Sequence, residues 1–304
     1  MARGYPLTLL TLALLWGSSF LFIEIALDDI EPTTMMALRL FFGATALVPV
    51  LVAQRGARRA VADLRTAGRS LWVLGVVNAA IPFTLIAWGQ QYIDSGIAAI
   101  ANASLPIFVV LLAIRFRPSE RVNGLRLAGI VAGLVGVAVL TGAEFNGSWS
   151  GVVGTLAVVC ASVLYATGAL YAQSRVDRID SIVLATGSAI TGTLVLLPLA
   201  LAQLPSEIPS WETFAAVAVL GFGGMAAGQL LYYVVIDRYG STRASLVTYL
   251  LPVIALVLGS LLLDEPVEVT ALIGLVLILS GVAFGSGMLK PARRREVAPA
   301  SSAP

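Results

Sequence analysis

The sequence predicts an all-α polytopic membrane protein with ten transmembrane helices, arranged as two inverted five-helix repeats with both termini in the cytoplasm. Three observations carry this prediction: an apolar composition, ten separate apolar stretches, and basic residues confined to alternate connections. The chain of 304 residues is 58% hydrophobic and 12% charged, and its mean hydropathy is +0.93. Soluble domains carry about 25% charged residues because they need a polar shell, so this composition indicates a bilayer protein.

The ten apolar stretches are each long enough to span a membrane, which takes roughly 20 apolar residues. They run over residues 6–27, 33–53, 70–92, 95–115, 122–142, 150–173, 180–203, 211–236, 242–263 and 266–288. The first stretch is too long for the apolar region of a signal peptide, so we interpret it as the first helix. The connections are too short to hold a separate catalytic or nucleotide-binding domain.

Lysine and arginine test the number of spans, because short cytoplasmic loops collect basic residues. With ten spans, 18 of the 19 basic residues fall on the side of the two termini, and Arg39 alone is left over. Adding or removing one helix would destroy this alternation. We therefore expect a multi-pass protein of the bacterial cytoplasmic (inner) membrane, with an arginine-rich interfacial strap at 54–69 and a disordered cytoplasmic tail at 289–304.

The second half of the chain repeats small residues and prolines of the first half at offsets of 145 to 149 residues. The matches include Gly43 with Gly192, Pro49 with Pro198, Gly75 with Gly221, Pro106 with Pro252, and Glu120 with Glu265. Residues 1–142 then form one five-helix repeat and residues 143–288 the second. An odd number of spans inverts the second copy, and such inverted repeats place a binding site between the halves.

The ionisable composition excludes several kinds of site. The chain has no histidine, and Cys160 is its only cysteine. Zinc clusters, disulfides and Cys/His nucleophile pairs are therefore excluded, and we expect no catalytic residue, metal or cofactor. The basic segments suit lipid headgroups, so we expect the bilayer as a partner and no nucleic acid.

Two ionisable residues lie inside the predicted spans, where such residues are functional candidates. At 1.5 Å per residue, Glu24 lies roughly 12 Å from the middle of the first helix toward the outer face, and Arg39 roughly 9 Å in from the outer end of the second. We predict an intramembrane ion pair or a shared polar cluster, acting either as a structural pair or in gating and substrate orientation. No formal charge is expected at the midplane, which favours a neutral or zwitterionic substrate and disfavours strong proton coupling.

The predicted midplane cavity is aromatic, polar and uncharged, which suits an apolar side chain with a zwitterionic head group. Its predicted lining is Trp16, Phe20, Asn78, Phe83, Asn102, Tyr165, Gln229, Tyr232, Thr248 and Tyr249. Prolines free a helical carbonyl that needs another partner. Pro82, Pro106 and Pro252 are accordingly predicted hinges or gates, with plain kinked packing as the alternative.

Five segments resemble the drug/metabolite transporter superfamily, EamA type, over essentially the whole chain. They are WGSSF at 16–20, ALRL at 37–40, QQYIDSGIAAIANASLP at 90–106, SER at 119–121 and DEPVEVTALIGLVLILSGV at 264–282. Within the superfamily the chain is most similar to YddG-type exporters of aromatic amino acids. It departs from many relatives at Glu24, where they carry a lysine, so expectations about charge there are not transferred.

The resemblance implies a secondary transporter that exports small amphipathic metabolites, aromatic or other neutral amino acids among them, by alternating access. A carrier of drugs, nucleosides or other metabolites is the alternative, and a channel or an intramembrane enzyme is disfavoured because no charged ring or catalytic constellation is present. We expect a monomer, with a dimer as the alternative.

Overall fold

The computed structural model describes residues 4–116, 124–143, 149–173 and 179–285, and these residues form helices without a strand. The α-helices are α1 (Tyr5–Leu27), α2 (Pro32–Arg55), α3 (Ala57–Gly75), α4 (Ile81–Gln90), α5 (Ser95–Asn102), α6 (Leu105–Phe116), α7 (Gly124–Ala143), α8 (Ser150–Gln173), α9 (Ser181–Ala202), α10 (Trp211–Ala218), α11 (Gly228–Tyr239), α12 (Ser241–Ala244), α13 (Val247–Leu262) and α14 (Val269–Gly285). Two π-helical segments, Val76–Ala80 and Val219–Ala227, join α3 to α4 and α10 to α11.

Seven helical units in this described part are long and apolar enough to cross a membrane, and three further apolar helices are shorter. The shorter ones are Leu127–Gly142, Val247–Leu262 and Val269–Phe284. The protein is therefore a polytopic helical membrane protein, while the count of ten spans stays a prediction. The predicted tail at 289–304 and much of the predicted basic connections at 117–123 and 174–178 lie outside the described residues.

The predicted strap at 54–69 has a different structure from the one expected. Gly56 adopts a positive φ of 77°, which ends α2 and turns the chain directly into α3. From there one uninterrupted helical unit runs over Ala57–Gln90. The arginine-rich segment is thus the first turns of the third helical unit and continuous with it, with Ala60 and Ala67 buried and its arginines at the surface.

The bundle is held by contacts between the two halves of the chain. The main partners are α7 with α14, α2 with α9, α3 with α9, α1 with α13, and α4 with α8. Helices α7 and α14 approach so closely because of glycine: a Cβ added at Gly281 would lie 2.6 Å from Cα of Gly133. Small residues at a helix interface permit this close approach of the two backbones.

The two ends of the bundle differ, and we name them by the chain. The N-terminal face is the end at which α1 begins, together with the α2–α3 junction and the start of α9. The opposite face holds the α1–α2 and α4–α5 connections and the start of α10. Contacts between Asp29 and Ser210 on the opposite face, and between Arg55 and Asp180 on the N-terminal face, show that the helices alternate in direction.

Candidate functional site

A central cavity of about 440 Å³ lies between the two halves of the bundle. Its wall takes residues from α1, α2, α3, α4, α5, α8, α9, α11, α13 and both π segments. It stops about one helical turn short of the opposite face, at Ile23 and Ile86. Toward the N-terminal face it reaches the helix ends at Ala172 and Ser181. The cavity therefore comes closer to the N-terminal face than to the opposite face.

Most of the predicted substrate residues lie on the wall of this cavity. They are Trp16, Phe20, Asn78, Phe83, Asn102, Tyr165 and Gln229. The rings of Phe83 and Tyr165 meet edge to face with 6.0 Å between centroids. Trp16 is fixed by its indole Nε1, which donates to the carbonyl of Gly224 at 3.0 Å. Contact between these side chains and a substrate remains a prediction.

Three predicted cavity residues lie elsewhere. Tyr232 packs its ring against Trp16 at 5.2 Å, behind the wall. The hydroxyl of Thr248 donates to the carbonyl of Ser245 at 2.7 Å, and Tyr249 packs against the main apolar core. The sequence placed them in the cavity by depth alone, and their positions around the helix turn them away from it.

The predicted hinge prolines do not line the cavity either. Pro82 and Pro106 stand in the first turns of α4 and α6, whereas Pro252 lies inside the uninterrupted α13. Near Pro106 the freed carbonyl of Asn102 accepts from the Ser162 hydroxyl at 3.4 Å, and the Asn102 side-chain oxygen lies 3.3 Å from that hydroxyl. The partner that a membrane proline needs thus comes from α8, and a hinge role remains a prediction.

The predicted ion pair between Glu24 and Arg39 does not form, and the alternative of a shared polar cluster stays a prediction. The Glu24 carboxylate accepts from Nε2 of Gln90 at 3.1 Å, and the Arg39 guanidinium lies 4.2 Å above the Phe83 ring. No ion pair within 4.0 Å involves either residue in the part of the chain that the structure describes. The position of a residue along its helix predicts its depth in the membrane. It does not predict the side of α2 from which Arg39 projects.

Arg39 instead lies on the cavity wall. The expectation of an uncharged cavity is therefore also wrong. The described lining holds this guanidinium and no Asp, Glu or Lys. The cavity is consequently aromatic and amide-bearing, as expected, but it carries one positive charge.

The opposite face is closed by two carboxylates that accept hydrogen bonds at helix N-termini. Glu265 accepts from the backbone N–H groups of Ser95 and Gly96, at 2.9 and 3.2 Å, and from the Ser95 hydroxyl at 2.9 Å. Carboxylates are favoured at helix N-termini because of the unpaired N–H groups and the helix dipole. We call this contact the Glu265 clasp.

Asp29 forms a second such closure between the α1–α2 connection and α10. It accepts from the backbone N–H of Ser210 at 2.9 Å and from the hydroxyls of Ser210 and Thr213 at 2.6 and 2.7 Å. These hydrogen bonds, the one from the Ser210 side chain first, hold the pKa of Asp29 below its ordinary value. Acidic residues next to two connections thus serve as structural closures of the opposite face.

The N-terminal face is held differently. Arg55 bridges Asp180 at the start of α9 and, at 3.4 Å, Asp63 of α3. The hydroxyl of Tyr233 donates to the carbonyl of Ser181 at 2.9 Å, at the rim where the cavity ends. This face therefore depends on solvent-accessible side chains.

Sequence reasoning missed several residues of the wall, among them Ser19, Ser181, Ser188 and Tyr233. Ser181, Ala185 and Ser188 recur at intervals of four and three residues along α9, which places small and polar side chains on one helix face. That spacing is the signal that could have found them. Among the described residues, no three His, Cys, Asp or Glu side chains lie close enough together to hold a metal ion.

Comparison with known proteins agrees with this architecture. The model of the EamA-like transporter family matches the chain twice, over residues 4–142 and 152–286. The chain is 26% identical to YoaV, an uncharacterized transporter of Bacillus subtilis, over 91% of this chain and 94% of that one. It is 24% identical to a probable amino-acid metabolite efflux pump of Escherichia coli, covering 93% and 94% of the two chains.

Two further matches concern function and fold. A probable terminal-alkyne amino-acid exporter of Streptantibioticus cattleyicolor is 27% identical over 88% of both chains. A crystal structure matches with a TM-score of 0.65 and 21% identity, covering 95% of this chain and 98% of the other, and so shows the same fold. Since the family model covers most of the sequence, in both halves, the chain belongs to the EamA-like transporter family.

Proposed function

We propose that this membrane transporter exports small amphipathic metabolites, aromatic and other neutral amino acids among them, by alternating access through the central cavity. The carrying observation is the cavity itself: 440 Å³ between the two halves, walled by aromatic rings, amides and one guanidinium. Such a wall suits an apolar side chain attached to a polar head group. The names of two relatives, an amino-acid metabolite efflux pump and an amino-acid exporter, support the same class.

The proposed architecture is ten spans in two inverted repeats, N-in and C-in, with residues 1–142 and 143–288 as the halves. Support comes from the family model, which matches once in each half. The π segments Val76–Ala80 and Val219–Ala227 lie at closely corresponding positions of the two halves. The packing is also reciprocal, because α3 packs against α9 as the second π segment packs against α2.

The orientation can be tested with thiol labelling in a Cys160→Ser background. Arg58→Cys on the N-terminal face and Ser206→Cys on the opposite face are both exposed positions. In intact bacterial cells, a membrane-impermeant maleimide should label Ser206→Cys and leave Arg58→Cys unlabelled until the membrane is opened. Labelling of both positions from outside would overturn the topology.

Transport is tested by counterflow in proteoliposomes that are loaded with unlabelled L-phenylalanine. A carrier accumulates external labelled L-phenylalanine transiently and saturably, whereas a channel only equilibrates it. The panel adds L-leucine, uridine and ethidium, so that preferential exchange of uridine or ethidium would assign the carrier to nucleosides or drugs instead. Absence of any trans-stimulated uptake would overturn the transport proposal.

A matched pair of variants connects this transport to the cavity. Phe83 lies on the cavity wall, whereas Phe214 is 48% exposed on the outside of the bundle. Burial of one aromatic ring is worth about 1.5–3 kcal/mol. Phe83→Ala should therefore raise the half-saturation concentration for L-phenylalanine about tenfold or more. Phe214→Ala should leave it unchanged, and an equal effect of both would argue against the cavity as the substrate site.

A further inference from the structure

Arg39 is a cation without a counter-ion on the wall of the central cavity. Its side chain is only 7% exposed, and its Nε is buried without a hydrogen-bond partner. The ion pairs formed by described residues all belong to Arg55, so no carboxylate of the described chain lies within 4.0 Å of the Arg39 guanidinium. The guanidinium carbon lies 4.2 Å from the centroid of the Phe83 ring, which is a cation–π contact.

This arrangement leaves much of the cost of burying a charge uncompensated. Burial of an ion carries a large desolvation cost even after the protein relaxes, and a cation–π contact offsets only part of that cost. A carboxylate is the natural complement, because the planar guanidinium fork matches its two oxygens in a bidentate pair. Since the described protein supplies none, the complement would come with the ligand.

The surroundings of the guanidinium leave room for such a group. A Cβ added at Gly224 would lie 3.5 Å from Nη2 of Arg39 and 3.1 Å from the hydroxyl oxygen of Ser19. All three residues line the cavity. A glycine at this position therefore keeps open a small polar recess between α1, α2 and the second π segment, beside the fixed indole of Trp16.

The same wall offers nothing comparable to an ammonium group. The described lining has no Asp or Glu, and its neutral polar groups include Asn78, Asn102 and Gln229. Amide oxygens can accept hydrogen bonds from an ammonium group but cannot neutralise it. The net charge of the described wall is thus positive, which favours ligands in the order carboxylic acid anion, zwitterion, free amine.

We propose that Arg39 anchors the carboxylate of the transported molecule, and that this carboxylate, and not the amino group, is the obligatory polar feature of the substrate. The substrate class is then monocarboxylates with an aromatic or branched apolar body, in which deaminated acids stand beside the amino acids. This proposal rests on the proposed function of the cavity as the transport site. It narrows that function from amphipathic metabolites in general to molecules bearing a carboxylate.

The test uses four ligands that share the phenyl body and differ in the head group. They are 3-phenylpropanoate, L-phenylalanine, L-phenylalaninamide and 2-phenylethylamine, and binding to the purified full-length protein is measured by competition with labelled L-phenylalanine. A charged hydrogen-bonded pair corresponds to an affinity ratio of about 10- to 100-fold. Wild-type protein should bind both carboxylates that much more tightly than the amide and the amine. Tighter binding of the amide or the amine would overturn the proposal.

Variants separate anchoring from a merely structural role. Arg39→Gln should weaken L-phenylalanine and 3-phenylpropanoate while leaving the amide unchanged, so that the acid-to-amide ratio falls to about one. A structural role would lower the affinity for all four ligands together and keep the ratio. Arg39→Lys, which keeps the charge without the planar fork, should give an intermediate ratio.

Controls make each outcome decisive. Arg243→Gln removes an exposed arginine that lies beside Tyr5, outside the cavity, and should leave all ratios unchanged. If Arg39→Gln does not fold, the four ligands are compared on the wild type and on Arg39→Lys. Equal affinity of the wild type for acid and amide, together with an unchanged acid-to-amide ratio in Arg39→Lys, would refute the anchor. Because binding is measured without transport, absent counterflow with an intact acid preference would contradict the proposed function and keep the anchor.

Discussion

The two ends of the helical bundle are held together by different chemistry. On the opposite face, Glu265 and Asp29 each accept hydrogen bonds at the N-terminus of a helix from the other half of the chain. On the N-terminal face, Arg55 forms side-chain ion pairs at the surface, and the cavity reaches the helix ends. The opposite face is therefore closed by directional bonds to backbone groups, whereas the helices at the N-terminal face are joined mainly by accessible side chains and leave the cavity open.

Interaction energies predict that the contacts at the two ends differ in strength. Hydrogen bonds to charged groups contribute about 1.5–3 kcal/mol, whereas exposed salt bridges contribute about 0–1 kcal/mol. The part-buried Glu265 clasp is therefore strong but concentrated in a few bonds, so that a single rearrangement can release it. An alternating-access cycle needs a closure of this kind, stable at rest and able to break as a unit.

Removal of the Glu265 clasp should have the largest effect. Glu265→Ala leaves two backbone N–H groups at the start of α5 without their acceptor, and we expect a loss of about 2–3 kcal/mol, read as a lower apparent Tm of the purified protein. Glu265→Gln keeps one acceptor oxygen, so its apparent Tm should lie between those of Glu265→Ala and the wild type. The neighbouring exposed Glu268 is the control, and Glu268→Gln should be nearly neutral.

Gly259 allows the same clasp to be broken without changing any charge. A Cβ added there would collide with the Glu265 carboxylate and lie 2.7 Å from the Ser95 hydroxyl oxygen. Gly259→Ala should therefore reproduce most of the Glu265→Ala effect. A wild-type Tm in both variants would show that the clasp does not hold the opposite face closed.

The Asp29 closure should reveal itself in the pH dependence of stability. Hydrogen bonds from Ser210 and Thr213 hold the Asp29 pKa below its ordinary value of 3.8, so its stabilisation is present above that value and is lost as the pH falls through the lower, folded-state pKa. Asp29→Asn should lower the apparent Tm at neutral pH by less than Glu265→Ala does. The difference in apparent Tm between Asp29→Asn and the wild type should disappear in acid. A difference that does not depend on pH would contradict a stabilising role of the charged Asp29.

The corresponding change on the N-terminal face should be small. Arg55→Gln removes both ion pairs of an accessible arginine, and we expect a loss of at most about 1 kcal/mol that shrinks further in high salt. The measurement is apparent Tm at low and high ionic strength, alongside Glu265→Gln. Equal destabilisation by the two variants would remove the distinction between the faces.

Removal of the Asp94 charge should give the smallest change in apparent Tm, and this change should be an increase rather than a decrease. Burial raises the pKa of Asp94 above its ordinary value of 3.8, and the nearby Glu265 and Glu268 raise it further. Its charged form therefore costs stability, and this cost appears as the pH rises through the folded-state pKa. Asp94→Asn, which retains a good N-cap residue, should slightly raise the apparent Tm at neutral pH and match the wild type in acid. A lower Tm at neutral pH would contradict this cause.

Much of the fold follows from apolar stretches and charge alternation. The described helices agree with the predicted stretches to within a few residues at most ends, because helix length and loop polarity are local properties of the sequence. The π segments and the merging of the arginine-rich strap into Ala57–Gln90 were not predicted. These segments pack against α9 and α2 of the other half, and no local pattern in the sequence predicts such contacts.

The site was predictable in its composition but not in its geometry. Residues such as Phe83 and Asn102 were placed on the cavity wall by their depth and chemical type. Arg39, Tyr232 and Tyr249 were misplaced because depth does not determine the direction in which a side chain leaves its helix. That direction depends on tertiary packing, which rotates Arg39 away from Glu24 and toward Phe83.

The central claim is that one cavity binds substrate while it is open to the N-terminal face and closed to the opposite one. Ser188 lies on the cavity wall and is 8% exposed, so Ser188→Cys in a Cys160→Ser background reports access to it. A membrane-impermeant thiol reagent should react with it from the N-terminal face only, and saturating L-phenylalanine should slow the reaction. Reaction from the opposite face alone, equal reaction from both faces, or no protection by substrate would contradict the account.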